Sequence, residues 1–493
     1  MAGTPIACAR APAAPEGATT LSSVSTLCNT ALGAGVLGLP FAFARAGVAG
    51  CLALFLAVAV LEAFTMYVLA KFAERYDAPT YGTLIRRALG RKTGAVLSGV
   101  MVVYLWGSSV AYLVVVADTF TSLSTMLLGP AAWTSGRVPL LAAVGVLLLP
   151  LCFQKNLSAM EYVSGAAVLG FLYTSVAVSV RGIQTAAARP DPWAGISWIH
   201  WDAPALYAVS LVIFGFNCHA NVVSVFVELE HRPTRLVPGL PASPDEYSSL
   251  GPLAPKPSTY KLIGMLGAII SYMVIIFLGY ASVGFTGYLA YPDSVNSNVL
   301  NSFPADDITI QIARAAIGGV CIGSFPLNHH PARAAWEDLL DSVADLRPLP
   351  GWLSSTLTTL FVASTVATAM VVTDLGSVLH IVGGTAAAFM VFMLPGLLLM
   401  NAAIIKHTAG AAAPAGREPA AAADGAAAAT AAAAAGWQGD DDTSAPLLPD
   451  YGISKKAGFR DAGFIFAPRK GWWAGLGLVI VALLVMAVTL LTS

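Results

Sequence analysis

Two stretches of the sequence interrupt long apolar runs with glycines and polar side chains, and both have the composition of a binding site. They are Asn29-Thr-Ala-Leu-Gly-Ala-Gly35 and Gly215-Phe-Asn-Cys-His-Ala-Asn221. An unpaired backbone N–H or C=O group is costly in hydrocarbon, so a membrane helix unwinds only where protein, water or a solute satisfies those groups. Freed N–H groups attract a carboxylate, and freed carbonyl groups attract an ammonium group or a cation. The two breaks therefore predict a site for a zwitterion.

The elements that carry these breaks are predicted to be membrane helices. The chain has 493 residues, of which 57% are hydrophobic and 11% charged, and its mean hydropathy is +0.73. These values are typical of polytopic membrane proteins. About 20 apolar residues cross a hydrocarbon core of ~30 Å. By this criterion we predict eleven spans, at 22–43, 48–70, 95–127, 138–153, 158–180, 203–227, 262–289, 308–328, 351–372, 376–401 and 471–491.

The distribution of Lys and Arg predicts the orientation, because these residues accumulate on the cytoplasmic side of a membrane. With the N-terminus inside, 21 of the 26 basic residues are cytoplasmic and four lie outside, while Arg314 lies near the entrance to a span. The N-terminus is therefore predicted to be cytoplasmic, and the C-terminus to lie outside the cell or in a lumen. The net charge of -1 and the lack of a basic surface with interleaved aromatic residues give no indication of nucleic-acid binding.

Four regions follow from the distribution of apolar residues. Residues 1–20 are predicted to be a disordered cytoplasmic N-terminus, 21–402 the core with spans 1 to 10, 403–470 a disordered cytoplasmic loop, and 471–493 the eleventh helix. The loop is rich in Ala and Gly and has no amphipathic stripe that a fold would bury.

The broken segments fall in spans 1 and 6, which are five spans apart. A repeat with an odd number of spans inserts its second copy upside down, so spans 1–5 and 6–10 are predicted to form inverted halves whose first helices meet near the midplane. Small residues such as Gly33 and Gly35 also occur in membrane helices simply to allow close packing. The matching break in span 6 favours a solute site over that alternative.

Several motifs occur in the same order as in a known family. They are Leu27–Pro40 in span 1, Tyr81-Gly82 with Leu89-Gly90-Arg91 before span 3, Lys155-Asn156-Leu157 before span 5, Phe216–His219 with Glu228-Leu229 in span 6, and Gly287-Tyr-Leu289 ending span 7. On these motifs the chain resembles the amino acid/auxin permease family, in the branch that contains sodium-coupled neutral amino acid transporters and plant vacuolar amino acid transporters. The resemblance implies an all-α membrane fold of the leucine-transporter type, with 5+5 inverted repeats and one extra helix.

The resemblance also implies which residues bind the substrate. Gly33, Ala34 and Gly35 match the unwound segment of span 1, whose N–H groups bind the α-carboxylate. A second group matches the break in span 6, whose carbonyl groups hold the α-amino group; it comprises Phe214, Gly215, Phe216 and Asn217. Span 3 around Tyr104, Gly107 and Tyr112 is a candidate wall of the side-chain pocket.

Two residues match the sodium ligands of the family. Asn29 aligns with an asparagine ligand in span 1, and Ser324 takes the position of a threonine ligand in span 8. An amide carbonyl and a hydroxyl are oxygen ligands of the kind that Na⁺ prefers. The alternative is that both side chains form ordinary hydrogen bonds between helices.

Glu62 and His219 suggest proton coupling instead. Glu62 lies near the centre of span 2, and an acid within a membrane span is by default a candidate for a proton or ion pathway. The alternative is a protonated Glu62 that is hydrogen-bonded to a neighbouring helix. His219 titrates in the range of a pH sensor, although a histidine in a span also serves as a structural donor.

The sequence thus predicts a secondary active transporter for neutral or small polar amino acids, which works by alternating access and is coupled to Na⁺ or H⁺. It is predicted to be monomeric, to lie in the plasma membrane or a vacuolar or lysosomal membrane, and to need no cofactor. No nucleotide-binding loop of the Gly-x-x-x-x-Gly-Lys-Ser/Thr type occurs, and no enzyme activity is predicted. The alternative function is an amino-acid sensor that signals with little net transport.

Overall fold

A computed structural model gives the fold of most of the chain. It describes residues 18–31, 33–129, 131, 136–154, 160–200, 202–229, 257–346, 348–411 and 468–493. The segment before residue 18, the motif Lys155-Asn156-Leu157 and most of the predicted 403–470 loop lie outside the described residues.

The described residues form helices of very different lengths. They are α1 (Thr20–Ala31), a 3-10 turn (Ala34–Gly38), α2 (Leu39–Ala46), α3 (Val48–Tyr76), α4 (Tyr81–Leu89), α5 (Arg91–Leu128), α6 (Arg137–Cys152), α7 (Met160–Ala187), α8 (Ala203–Phe216), α9 (His219–Glu228), α10 (Pro257–Ala290), α11 (Ile308–Ala344), α12 (Gly351–Val371), α13 (Leu375–Val382), α14 (Leu394–Ala411) and α15 (Pro468–Thr492). Two wide π turns, Gly383–Ala387 and Phe389–Met393, join α13 to α14.

These helices have the length and composition of membrane spans. Among the described residues, nine helical segments are long and apolar enough to cross a membrane, and α1 with α2 forms a tenth candidate that is bent by 54°. The 16-residue helix α6 is apolar but shorter. The prediction of an all-helical, multi-pass membrane protein is therefore confirmed. The count of eleven spans and the inverted repeat stay predictions.

Helix α3 shows how the fold divides its faces between protein and lipid. Leu56 and Val60 are each 60% exposed, whereas Phe55 and Glu62 on the same helix are completely buried. Exposed leucine and valine side chains are at no disadvantage in a bilayer, because lipid tails are as apolar as they are. The buried face of a span is therefore where polar side chains have to find partners.

Glycines bring the last two helices into backbone contact. A Cβ atom added to Gly396 on α14 would lie 2.7 Å from the carbonyl oxygen of Gly475 on α15. A Cβ atom added to Gly475 would lie 2.5 Å from the carbonyl oxygen of Gly396. This small-residue contact is a common way for membrane helices to pack, and it fixes α15 against α14.

The connection between α10 and α11 is held to the rest of the fold by Asp118 on α5. The carboxylate of Asp118 accepts hydrogen bonds from the side-chain amides of Asn298 at 3.0 Å and Asn301 at 2.9 Å. Its other oxygen pairs with Arg137 at 2.9 Å, and Arg137 also donates to the carbonyl oxygen of Val372 at 3.1 Å. One carboxylate therefore ties together α5, α6, the end of α12 and the α10–α11 connection.

Asp374, in the turn between α12 and α13, also holds the α10–α11 connection in place. Its carboxylate accepts hydrogen bonds from the hydroxyl of Ser297 at 2.5 Å and from the backbone N–H of Ser377 at 2.7 Å. Burial alone would raise the pKa of Asp374, but these hydrogen bonds outweigh it and hold the pKa below its usual range. Its stabilising contribution is therefore complete above the ordinary aspartate pKa and is lost only as the pH falls through the lowered value.

We expect Asp118→Asn to destabilise the fold, because it leaves the charge of Arg137 without its partner. The Asp118 and Arg137 side chains are only 12% and 19% exposed, and removing one member of such a buried pair costs up to about 3 kcal/mol. The matched control is Asp345→Asn, whose exposed pair with Arg91 is worth roughly 0–1 kcal/mol. Thermal unfolding in detergent measures both. Equal shifts of the transition would contradict a structural role for the Asp118 pair.

Candidate functional site

The two breaks predicted from the sequence meet in the structure. A Cβ atom added to Gly35 would lie 3.2 Å from the Cα atom of Gly215 and 3.3 Å from Cδ1 of Phe214. Gly33 has an extended backbone between α1 and the 3-10 turn, and a Cβ atom there would lie 3.1 Å from the Tyr112 hydroxyl. The site is thus a place where the backbones of two interrupted helices approach each other without intervening side chains.

Two tyrosines of α10 satisfy carbonyl groups that the breaks leave free. The Tyr280 hydroxyl donates to the carbonyl oxygen of Ala31, the last residue of α1, at 2.8 Å. The Tyr272 hydroxyl donates to the carbonyl oxygen of Phe216, the last residue of α8, at 2.7 Å. Both tyrosines are fully buried. The unwound backbone is therefore supported by a continuous neighbouring helix, as an interruption within a membrane requires.

Sequence reasoning missed these two tyrosines. Their separation of eight residues places them on one face of α10, slightly more than two turns apart. That spacing, on the span that follows the broken one, is the signal that could have identified them. A carbonyl oxygen has two lone pairs, so Ala31 and Phe216 each retain one for another donor.

Aromatic rings enclose the span 6 break on several sides. Phe216 packs edge-on against Phe55 at 5.4 Å and Tyr280 at 5.6 Å between ring centroids. Tyr104 lies beside Phe214 at 5.9 Å between ring centroids, and its role as a wall of the side-chain pocket stays a prediction. Gly107 has a different role, because a Cβ atom there would lie 2.3 Å from a methyl group of Val382. It allows α5 and α13 to pack closely.

Polar side chains at the start of α9 are turned toward the break. The side-chain oxygen of Asn217 accepts a hydrogen bond from the backbone N–H of His219 at 3.0 Å. Asn221 donates to the Thr30 hydroxyl at 3.1 Å and so joins α9 to α1. The buried Nδ2 of Asn217 has no hydrogen-bond partner among the described residues. It is a free donor at the place where the two helices are interrupted.

The structure brings Glu62 and His219 together beside this break. Both side chains are completely buried, and Nδ1 of His219 lies 4.0 Å from Oε2 of Glu62. The Thr65 hydroxyl lies 2.8 Å from Nε2 of His219. Neither carboxylate oxygen of Glu62 has a hydrogen-bond partner in the described part of the chain. The alternative of a Glu62 hydrogen-bonded to a neighbouring helix is thus not seen among these residues.

Sequence comparison supplies the family. The model for the family described as "Transmembrane amino acid transporter protein" matches residues 16–238 and 254–414. The chain belongs to this family. The amino acid/auxin permease family predicted from the motifs is therefore confirmed, and an amino acid is the class of substrate that the family transports.

Curated relatives from animals and yeast match most of the chain. Sodium-coupled neutral amino acid transporter 7 of Xenopus laevis is 28% identical over 400 residues, which cover 78% of this chain and 81% of that protein. Solute carrier family 38 member 8 of Homo sapiens is 26% identical over 78% of this chain and 86% of that protein. Vacuolar amino acid transporter 2 of Saccharomyces cerevisiae is 22% identical over 75% of this chain and 73% of that protein.

The two predicted sodium ligands do not form a side-chain cluster like that of Glu62 and His219 within the described residues. Asn29 on α1 and Ser324 on α11 are both half-buried. Within the described ranges, no hydrogen bond of either side chain is found, and the two residues are not joined to each other. A sodium site on Asn29 and Ser324 stays a prediction. Among the described residues, no group of three or more His, Cys, Asp or Glu side chains is arranged to hold a metal ion.

We expect Gly35→Val to weaken amino acid binding by about tenfold or more, since a side chain there occupies the space between the two breaks and overpacking of this kind typically costs 1–3 kcal/mol. The measurement is binding of a labelled mixture of neutral amino acids to the purified protein. The control is Gly99→Val on α5, where a Cβ atom meets no neighbour within 4 Å. If Gly35→Val binds as the control does, the substrate site lies elsewhere.

Proposed function

We propose that the chain is a secondary active transporter of neutral or small polar amino acids that is driven by a gradient of Na⁺ or H⁺. The observation that carries the proposal is the meeting of two helix breaks, at Gly35 and Gly215, inside an amino acid transporter family member. The names of two relatives specify sodium-coupled transport of neutral amino acids and vacuolar amino acid transport. Both activities require a site that accepts an amino acid, which is a zwitterion near pH 7.

The substrate would bind by its two charged ends. The N–H groups of Gly33, Ala34 and Gly35 would hold the α-carboxylate, because this segment is the N-terminal end of the second half of a broken helix. The carbonyl groups around the second break, at Phe214–Asn217, would hold the α-ammonium group. The second lone pair of the Phe216 carbonyl serves this purpose even while Tyr272 donates to the first.

Such contacts bind the parts that all α-amino acids share, so the side chain of the substrate is selected elsewhere. The rings of Tyr104 and Phe214 lie at one side of the break and favour apolar or small polar side chains. A Cβ atom added to Gly215 would meet the side chains of Tyr280 and Leu39, which carry no charge near pH 7. This composition supports neutral substrates over acidic or basic ones.

Both breaks lie in a single chain, which supports transport by a monomer. We propose that binding precedes a rocking motion that exposes the site to the other side of the membrane. The N-terminus would be cytoplasmic, and the C-terminus extracellular or lumenal, as the distribution of basic residues predicts. No bond of the substrate changes in this process, so the protein would not act as an enzyme.

The decisive experiment is uptake into proteoliposomes that contain the purified full-length chain. Labelled neutral amino acids are supplied with an imposed Na⁺ gradient or, separately, an imposed H⁺ gradient. We expect accumulation above the external concentration under one of the two gradients, and its collapse when an ionophore dissipates that gradient. Binding without accumulation under either gradient would contradict transport and indicate a sensor.

Variants of the predicted ligands identify a sodium-driven mechanism. If Na⁺ drives uptake, Asn29→Ala and Ser324→Ala should each raise the sodium concentration needed for half-maximal uptake by about tenfold, the effect of losing ~1.4 kcal/mol of ion binding. Ser355→Ala, at an exposed position on α12, is the matched control. Equal sodium dependence in all three variants would exclude the predicted ligands.

A further inference from the structure

The side chain of Glu62 is in an unusual electrostatic position. It is 0% exposed, and both carboxylate oxygens lack a hydrogen-bond partner among the described residues. A carboxylate buried in this way is strongly disfavoured unless a positive charge or a proton compensates it. The nearest such group is the ring of His219, whose Nδ1 is 4.0 Å from Oε2 of Glu62.

Other titratable groups around Glu62 do not supply the compensating charge. Tyr104 on α5, Tyr272 on α10 and Cys218 on α9 are close enough to interact with it electrostatically. With their ordinary pKa values, all three side chains are neutral near pH 7. In the described part of the chain, no Lys or Arg side chain forms an ion pair with Glu62. The histidine is therefore the base that faces the carboxylate.

The hydrogen bonds of His219 show what its ring nitrogens must do. The side-chain oxygen of Asn217 is fixed as an acceptor by the backbone N–H of His219, and it also faces Nδ1 at 3.2 Å. The Thr65 hydroxyl donates its single hydrogen to the carbonyl oxygen of Glu62 at 3.0 Å, so it can only accept from Nε2. With this orientation of Thr65, both nitrogens donate, and the ring is an imidazolium.

A second arrangement differs by one rotation of the Thr65 hydroxyl and by the position of one proton, which the ring gives up from Nε2 and the carboxylate of Glu62 takes up. If the Thr65 hydroxyl turns away from the Glu62 carbonyl and donates to Nε2, the ring is neutral and keeps its proton on Nδ1. Glu62 then carries the other proton. In both arrangements the pair holds one exchangeable proton and has no net charge. Removing that proton leaves a bare negative charge at a completely buried position.

We propose that Glu62 and His219 form a proton-binding pair for coupled transport, with the Thr65 hydroxyl as its switch and Asn217 as its link to the substrate site. The proposal rests on the proposed transport function and names its coupling ion. The link is short. Asn217 follows the last residue of α8, and its side-chain oxygen holds both the backbone N–H and the ring of His219 at the start of α9.

Protonation therefore acts on the geometry of the break itself. A ring that donates from Nδ1 holds the Asn217 side chain against α9, and the Nδ2 of Asn217 remains free for the substrate. When the imidazolium form loses its proton, Nε2 becomes an acceptor, and the Thr65 hydroxyl must turn from the Glu62 carbonyl oxygen to donate to it. The bare charge of Glu62 is then left beside the break, near the position proposed for the substrate ammonium group.

The test uses the full-length chain in proteoliposomes and compares two activities. Accumulation driven by an H⁺ gradient requires proton coupling. Exchange of internal unlabelled for external labelled amino acid requires only that the substrate binds and that the protein moves it across the membrane. We expect Glu62→Gln to reduce H⁺-driven accumulation by about tenfold or more, within the range of typical coupling between sites. Exchange should persist and should lose the pH dependence that the wild-type chain shows.

Matched variants separate coupling from folding. Glu228→Gln is the control, since Glu228 is an exposed acid at the far end of α9. Thr65→Ser keeps the hydroxyl and should keep the wild-type pH profile of exchange. Thr65→Val keeps the shape but removes the hydroxyl, and it should shift the midpoint of that profile. The comparison of the two Thr65 variants remains informative if Glu62→Gln does not fold.

The outcomes are distinct. Exchange by the wild-type chain, combined with H⁺-driven accumulation and a wild-type pH profile in Glu62→Gln, overturns the proton pair and leaves the transport function intact. Accumulation driven only by Na⁺, with identical pH profiles in Thr65→Ser and Thr65→Val, also overturns it. A wild-type chain that neither binds nor exchanges amino acids overturns the transport function as well. Loss of H⁺-driven accumulation with retained exchange in Glu62→Gln supports the pair.

Discussion

The need to satisfy backbone polar groups within hydrocarbon governs this structure. Each interruption of a membrane helix frees carbonyl and N–H groups that lipid cannot bind. Tyr272 and Tyr280 meet this need for Phe216 and Ala31, and both tyrosines come from the continuous helix α10. The breaks are therefore stable without a solute, yet retain acceptors and donors that a solute can use. The proposed binding site is therefore an interruption of a helix whose free peptide groups are only partly satisfied by the neighbouring helix.

The glycines at the two breaks determine which groups a solute can reach. Gly35 and Gly215 let two backbones approach so closely that a Cβ atom at Gly35 would lie 3.2 Å from the Cα atom of Gly215, and the groups proposed to bind a substrate there are peptide groups. Fixed peptide groups need little reorganisation to bind a carboxylate or an ammonium group. Tight glycine contacts at Gly396 and Gly475 fix the surrounding scaffold in the same way.

Local features were predictable from the sequence, and long-range partners were not. Apolar runs predicted the spans, and the glycines and polar residues at 29–35 and 215–221 predicted where helices are interrupted. Single residues such as Glu62 and His219 were recognisable by their rarity in a span, but their proximity depends on how α3 packs against α9. The tyrosines of α10 resemble ordinary aromatic core residues until their hydroxyl partners are known. The arrangement of Asn29 and Ser324 likewise depends on packing between distant helices.

Charge balance connects the proton pair to the substrate. An α-amino acid with a neutral side chain is a zwitterion without net charge, so it cannot compensate a bare Glu62 carboxylate in a closed site. If Glu62 and His219 form the proposed proton pair, an occluded protein would have to keep its proton, and exchange of that proton would require water to reach the pair. In the proposed alternating-access cycle, water would reach the pair when one side opens, which is also when substrate would enter or leave. Under this proposal, the cost of a buried charge would synchronise proton exchange with substrate exchange, without any direct contact between the proton and the substrate.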